Sequence, residues 1–202
     1  MVDSSVLALR RSPLHRHRQE IDAGGSDAVR LREIPFLAQI GLRAKPADAA
    51  AEALEESLGL PLPTGVQEVT GDPTGEGTAV LWLGPDEFLA VAADEAQGGP
   101  DPAVWAAELA TTIARMPGQV LDLSANRTTL ELSGERAQEV LDSAVRIDLD
   151  PCALPAGSAV ATLLGGVPVL LWRTRPECFR VMPRSSFAVH VARWLLDAMR
   201  EF

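Results

Sequence analysis

The sequence predicts an α+β fold made of two packed ferredoxin-like (split βαβ) units. Three observations carry that expectation. Counted from Phe36, the strand and helix signals run β-α-β-β-α-β, the split βαβ order. From residue 127 onward they run β-α-β-β-β-α, close to a second copy in element order though not in residues. Between them, residues 119–144 read QVLDLSANRTTLELSGERAQEVLDSA, a strand, a turn, a strand and a helix in succession.

Residues 1–28 read as an extended N-terminal arm, basic around Arg10, Arg11, Arg16 and Arg18 and closed by Gly24-Gly25-Ser26. The first unit is placed at residues 29–125. Residues 29–33 and 36–42 are apolar-rich and extended, with Pro35 between them. Pro46 stands where a helix begins; Ala47, Ala51, Leu54 and Leu58 recur at helical spacing, and Gly59 suits its C-terminal cap. Residues 61–77 read as loop. Residues 78–83 and 87–92 form a hairpin around Gly84-Pro85-Asp86, where proline presets one turn residue. Pro100 and Asp101 open a helix carrying Trp105, Leu109, Thr112 or Ile113, and Met116, which Pro117-Gly118 stops before a strand at 119–124.

The second unit is placed at residues 126–202. Residues 128–132 alternate Thr129 and Glu131 with Leu130 and Leu132, the period of a half-buried strand. Ser133 is a candidate N-cap for a helix at 134–145, with Ala137, Val140, Leu141 and Ala144 as its apolar stripe. After a connector at 148–158, residues 159–164 and 167–174 flank Gly165-Gly166, a two-residue hairpin signal. A strand follows at 179–182. Ser185 or Ser186 caps a last helix with Phe187, Val191, Trp194, Leu195 and Ala198 on its core face.

Bulk composition narrows the function. Of 202 residues, 47% are hydrophobic and 23% charged, enough apolar content for a real core. The net charge of -10 opposes nucleic-acid or anionic-membrane binding, because phosphate attraction needs a basic surface. No apolar run reaches the roughly 18 residues that cross a bilayer, and no signal core opens the chain, so a cytoplasmic location is expected. Cys152 and Cys178 form neither CxxC nor a disulfide framework and read as buried or half-buried free thiols.

Few residues offer chemistry. Asp122, Ser124, Asn126 and Arg127 are the densest polar cluster: such a turn can bind a pterin or an amino acid, or simply satisfy local backbone groups, with Arg127 pairing Asp122. Asp86 and Glu87 are paired carboxylates on a hairpin tip, where solvent keeps a carboxyl from acting as a general acid. His190 lies near Ser185 and Ser186 without a GxSxG elbow. His15 and His17 have no carboxylate or cysteine beside them to complete a metal site. GDPTGEG at 71–77 lacks the lysine and hydroxyl of a phosphate loop. Trp172 and Trp194 read as core residues; a tryptophan left partly outside would be an interface hot spot. No catalytic, cofactor-binding or metal-ligating residue is assigned.

RSPL at 11–14, PFLAQIGLR at 35–43, LWLGPDEFLAV at 81–91, DLSANRTTLELSG at 122–134, PVLLWRT at 168–174 and FRVMPRSSFA at 179–188 resemble the gamma subunit of heterotetrameric sarcosine oxidase. The resemblance implies a non-catalytic subunit of a complex that demethylates sarcosine to glycine. That reaction yields hydrogen peroxide and, with tetrahydrofolate, methylenetetrahydrofolate. It implies the alpha subunit as main partner, with beta and delta possible further ones. FAD, FMN, NAD and tetrahydrofolate are then expected on other subunits and no cofactor on this chain. It also implies a fold related to the folate-binding aminomethyltransferase group. Some members carry a KGCYxGQE segment, whereas Cys152 sits in LDPCALP without its lysine, tyrosine or glutamine. The residues 11–14, Phe36 and Arg184 become candidate partner contacts. The alternative is a stand-alone folate-binding or one-carbon transfer protein built on the Asp122–Arg127 cluster.

Overall fold

A computed structural model describes Leu7 and residues 9–202. In chain order the elements are α1 (Arg18–Ala23), β1 (Arg30–Ile34), β2 (Ala38–Arg43), α2 (Ala49–Leu58), β3 (Val69–Gly71), β4 (Ala79–Gly84), β5 (Glu87–Ala92), α3 (Pro102–Thr112), β6 (Gln119–Asp122), β7 (Thr129–Ser133), α4 (Ala137–Asp142), β8 (Ser158–Leu164), β9 (Val167–Arg175), β10 (Cys178–Pro183) and α5 (Ala188–Ala198). They form two compact units. The first holds the described residues up to Arg10 together with Phe36–Ala125; the second holds Arg11–Pro35 and Asn126–Phe202.

The first unit is an antiparallel sheet in the order β3-β4-β5-β2-β6. Strands β6-β2-β5-β4 reproduce the expected split βαβ arrangement, in which β2 and β4 run parallel with β5 inserted between them. Strand β3 is an addition at the edge: Val69↔Leu81 and Gly71↔Ala79 pair it with β4 inside a segment expected to be loop. Three residues are too few to display a two-residue period, so nothing local marks it. Two helices cover one face of this sheet. Gly59 takes the left-handed φ of +66° that closes α2. Asp101 starts α3 by accepting from the backbone N–H of Ala103 at 2.9 Å and of Val104 at 3.3 Å, with Pro102 in the first turn. Ile40, Leu42, Leu54, Val80, Phe88 and Leu109 make the core between helices and sheet.

The second unit has the sheet order β1-β7-β10-β9-β8. Position by position it matches the first: β7, α4, β8, β9, β10 and α5 correspond to β2, α2, β3, β4, β5 and α3. The counterpart of β6 is β1, supplied by the N-terminus. Residues 29–35, assigned from sequence to the first unit, therefore belong to the second, where Arg30↔Ser133 through Ile34↔Thr129 pair β1 with β7. The segment before it is not an extended arm either. Residues 15–23 form a 3-10 turn and α1, and Leu14 and Ile21 are buried in the second core beside Leu31, Leu132, Phe179 and Val191. Burial of these apolar side chains, at about 1.5–3 kcal/mol each, outweighs the polar character of the surrounding residues.

Three local expectations change for identifiable reasons. Strand β7 is buried on both faces, since Thr129 and Glu131 are as enclosed as Leu130 and Leu132. Ser133 ends β7 instead of capping a helix; α4 begins only at Ala137, after Gly134 at φ +123°, where an added Cβ would lie 2.3 Å from the Ala28 carbonyl oxygen. Ser185 and Ser186 make no side-chain cap but open a 3-10 turn, and α5 buries Ala188, Val191, Ala192 and Leu195. That rotation leaves Phe187 and Trp194 outside, 42% and 40% exposed.

Candidate functional site

The Asp122–Arg127 cluster divides between the units, Asp122 and Ser124 in the first, Asn126 and Arg127 in the second. Asp122 Oδ1 accepts the Ser124 N–H at 2.9 Å, and Ser124 Oγ accepts the Gln39 N–H at 3.0 Å. With Leu123 N–H on the Gln39 carbonyl at 2.8 Å, these bonds carry the β2–β6 ladder one step past its regular end. Asn126 offers its carbonyl to the Ser185 N–H at 2.9 Å, and Arg127 Nη1 donates to the Met182 carbonyl at 3.1 Å. Each group is committed to local architecture.

The other candidates resolve similarly. Glu87 forms an ion pair with Arg43, its partner across β2 and β5, and Asp86 is exposed in the turn. His17 Nδ1 lies 3.1 Å from Glu20 Oε2, while His15 is exposed; among the described residues no cluster of three or more metal-ligating side chains occurs. In GDPTGEG the Asp72 carboxylate accepts from Thr74 N–H and Oγ1 and from Gly77 N–H, occupying the place a phosphate would need. The Thr74 hydroxyl, ahead of those backbone donors, holds the Asp72 carboxyl below its ordinary range. Cys178 is buried, and that burial pushes its thiol up; Cys152 is exposed, contrary to expectation, and beside Asp150 its thiol is raised as well. A raised, neutral thiol is a poor nucleophile. His190 is exposed with its ring centroid 6.0 Å from that of Trp194. Trp172 is fully buried as expected; Trp194 is not.

Sequence reasoning missed three arrangements. Across the second sheet, Arg32, Glu131, Arg180 and Trp172 are successive cross-strand partners. Glu131 sits between Arg32 Nη2 at 2.6 Å and Arg180 Nε at 3.6 Å, and the Arg180 guanidinium lies 5.3 Å from the Trp172 ring centroid. Burial lowers the Arg180 pKa and the charge of Glu131 opposes that shift. An open cavity of about 840 Å³ borders this row at Arg30, Arg32, Glu131, Arg175 and Cys178. Next, Arg173 is 3% exposed and donates only to neutral oxygens: the carbonyls of Leu149, Leu154 and Pro176, and Gln138 Oε1. It ties the connector after α4 to β9. Nothing in the local pattern of β9, VPVLLWRTR, marks this role. Last, Arg127 and Arg184 form an isolated antiparallel bridge. Burial first, and then the charge of Arg184, hold the Arg127 pKa below its usual value. Among the described residues, no helix is long and apolar enough to cross a membrane.

Comparison with known proteins gives a consistent result. Residues 41–201 match the family model described as "Sarcosine oxidase, gamma subunit family". A sarcosine oxidase subunit gamma from Corynebacterium sp. (strain P-1) is 49% identical over 197 residues, covering 96% of this chain and 92% of the relative. One from Corynebacterium sp. (strain U-96) is 46% identical over 205 residues, covering 100% and 95%. Among solved structures, a chain of the heterotetrameric sarcosine oxidase from Corynebacterium sp. U-96 in complex with pyrrole 2-carboxylate superposes with TM-score 0.88 at 45% identity, with 96% of each chain covered. The glycine cleavage system aminomethyltransferase T from Bartonella henselae superposes with TM-score 0.62 at 18% identity, over 93% of this chain and 57% of that one, a likeness of fold alone.

Proposed function

The chain belongs to the sarcosine oxidase gamma subunit family, and from that premise we propose that it is the structural, non-catalytic gamma subunit of a heterotetrameric sarcosine oxidase. One observation carries the reading: near-complete mutual coverage, at 45% identity, of a chain from a solved heterotetrameric enzyme. The local chemistry supports it, because Asp122, Ser124, Arg127, Asp72 and Glu87 already hold strand ends, loops and turns together. In this reading the alpha subunit is the main partner, with beta and delta as further neighbours. Sarcosine is oxidised to glycine on those other chains, which carry FAD, FMN, NAD and tetrahydrofolate in the cytoplasm. A folate site at Asp122 finds no support in the geometry, since that carboxylate is exposed and engaged by Ser124.

The test is expression of the chain alone and together with alpha, beta and delta. Stoichiometric co-purification is expected, together with no sarcosine-dependent peroxide from the isolated chain. Turnover by the isolated chain, or micromolar tetrahydrofolate binding lost in Asp122→Ala, would falsify the assignment.

A further inference from the structure

The segment that supplies β1 is closed at its neck. The chain leaves the first unit after Arg10 and rejoins it at Phe36, and residues 11–35 between those points belong to the second. Two contacts join the ends of this segment. In one, the Ser12 hydroxyl donates to Glu33 Oε2 at 2.6 Å, while Glu33 Oε1 accepts the Thr128 hydroxyl at 2.7 Å. In the other, the Arg10 guanidinium lies 4.4 Å from the centroid of the Phe36 ring, a cation–π stack. Arg10 Nη2 also donates to Asp94 Oδ1 at 2.7 Å. Asp94 is a firm anchor, its side chain 8% exposed and its carbonyl accepting the Gln97 and Gly99 N–H groups.

Phe36 is strained. Among the described residues, three other than glycine have positive φ: Phe36 at +63°, Ala47 at +61° and Gln67 at +69°. Of these only Phe36 is aromatic, and the left-handed region puts its Cβ too close to the following carbonyl oxygen. Pro35 stands before it in a turn whose next residue takes that φ, a place where glycine is the ordinary choice. What phenylalanine adds there is a ring beneath Arg10. The stack holds the turn against its own strain, and β1 ends only two residues earlier, at Ile34.

We propose that residues 11–35 are a strap that opens and closes as one piece, with Phe36 as its loaded hinge and Arg10 as the catch. Closed, the strap gives β7 its outer partner and sets Leu14, Ile21 and Leu31 in the core. Releasing Arg10 lets Phe36 relax to negative φ, which draws the end of β1 out of the register that Ile34 holds with Thr129. The opened form bares the β7 edge and those three side chains, while β7-β10-β9-β8 stay paired. The inference concerns the chain by itself and stands apart from the gamma-subunit reading.

Amide hydrogen exchange in the full-length chain tests it, with Arg10→Ala, Phe36→Ala, Phe36→Gly, and Arg10→Ala combined with Phe36→Gly. Arg10→Ala removes the catch, and Phe36→Ala removes the ring while keeping a Cβ at positive φ. Each is expected to raise exchange about tenfold in residues 11–35 and at the β7 amides that face β1, with the β8–β9 hairpin unchanged. Phe36→Gly removes the strain together with the ring and is expected to stay near wild type. Combined with Arg10→Ala, it is expected to return exchange to that level. An ordinary packing contact gives the opposite order, because glycine loosens a turn more than alanine does. Faster exchange in Phe36→Gly than in Phe36→Ala, additive losses in the double variant, or an Arg10→Ala effect confined to residues 94–99 each overturns the proposal. So does a rise spread evenly over the second unit, which is global unfolding and not the release of a strap.

Discussion

Glu131 and Arg180 face each other across β7 and β10, with Arg180 Nε 3.6 Å from Glu131 Oε2 and side chains only 6% and 7% exposed. A buried pair of this kind is costly to break on one side. Glu131→Leu leaves Arg180 enclosed without its counter-charge and is expected to destabilise the chain by about 3–5 kcal/mol. Arg32→Ala removes only the solvent-facing member, 65% exposed, and is expected to cost less than about 1 kcal/mol. Urea denaturation of the two variants checks the contrast; equal losses would refute it.

Arg173 makes a second separable prediction. Arg173→Lys keeps the charge but cannot reach Leu149, Leu154 and Pro176 together. A destabilisation of about 2 kcal/mol is expected, with amide exchange rising first in residues 148–158. Exchange that rises uniformly through the unit would contradict the tethering role.

Asp72 gives a pH dependence. Its carboxyl is held below its unfolded value, with the Thr74 hydroxyl as the largest cause, so the ionised form favours the folded loop. The stabilisation is present above the unfolded pKa, about 3.9, and is lost as pH falls through the lower folded value. Asp72→Asn should melt below wild type at pH 7, and the gap should close under strong acid. A gap that persists or widens in acid would reverse the sign assigned here.

The equivalence of β1 and β6 predicts that chain order can be rearranged. Removing residues 11–35 strips β7 of a partner strand and the core of Leu14, Ile21 and Leu31, and should give insoluble protein. Joining residues 11–35 after Phe202 instead, where Gly24 already touches Leu196, should give a soluble chain with the native strand order. Cooperative melting of the deletion variant, or aggregation of the permutant, would count against this account.

Local pattern made much of this fold legible. The hairpins at Gly84–Asp86 and Gly165–Gly166 announce themselves through turn chemistry, and both sheets follow from them. What stayed hidden is non-local. Nothing in RLREI states that its partner is TLELS rather than a neighbouring strand, so chain order alone assigns β1 to the first unit. The sequence puts Phe187 and Trp194 on the core face of α5 with Val191 and Leu195, but the helix buries Ala188 and Ala192 beside those two instead. Small alanines at 188 and 192 let one face approach the sheet, and that decides the matter only in three dimensions. Glu131 reads as the open side of a half-buried strand and nothing local marks Arg173, while the burial of both depends on neighbours distant in the sequence.

The origin of β1 also bears on biosynthesis. During translation residues 30–34 leave the ribosome long before the strand they pair with has been made. All strands of the first sheet have emerged by Asp122, so that sheet can close while the N-terminal strand still lacks its mate. Until Thr129–Ser133 arrives, Leu31 and Ile21 remain uncovered, and a chaperone or a subunit translated nearby has its opportunity to intervene in that interval.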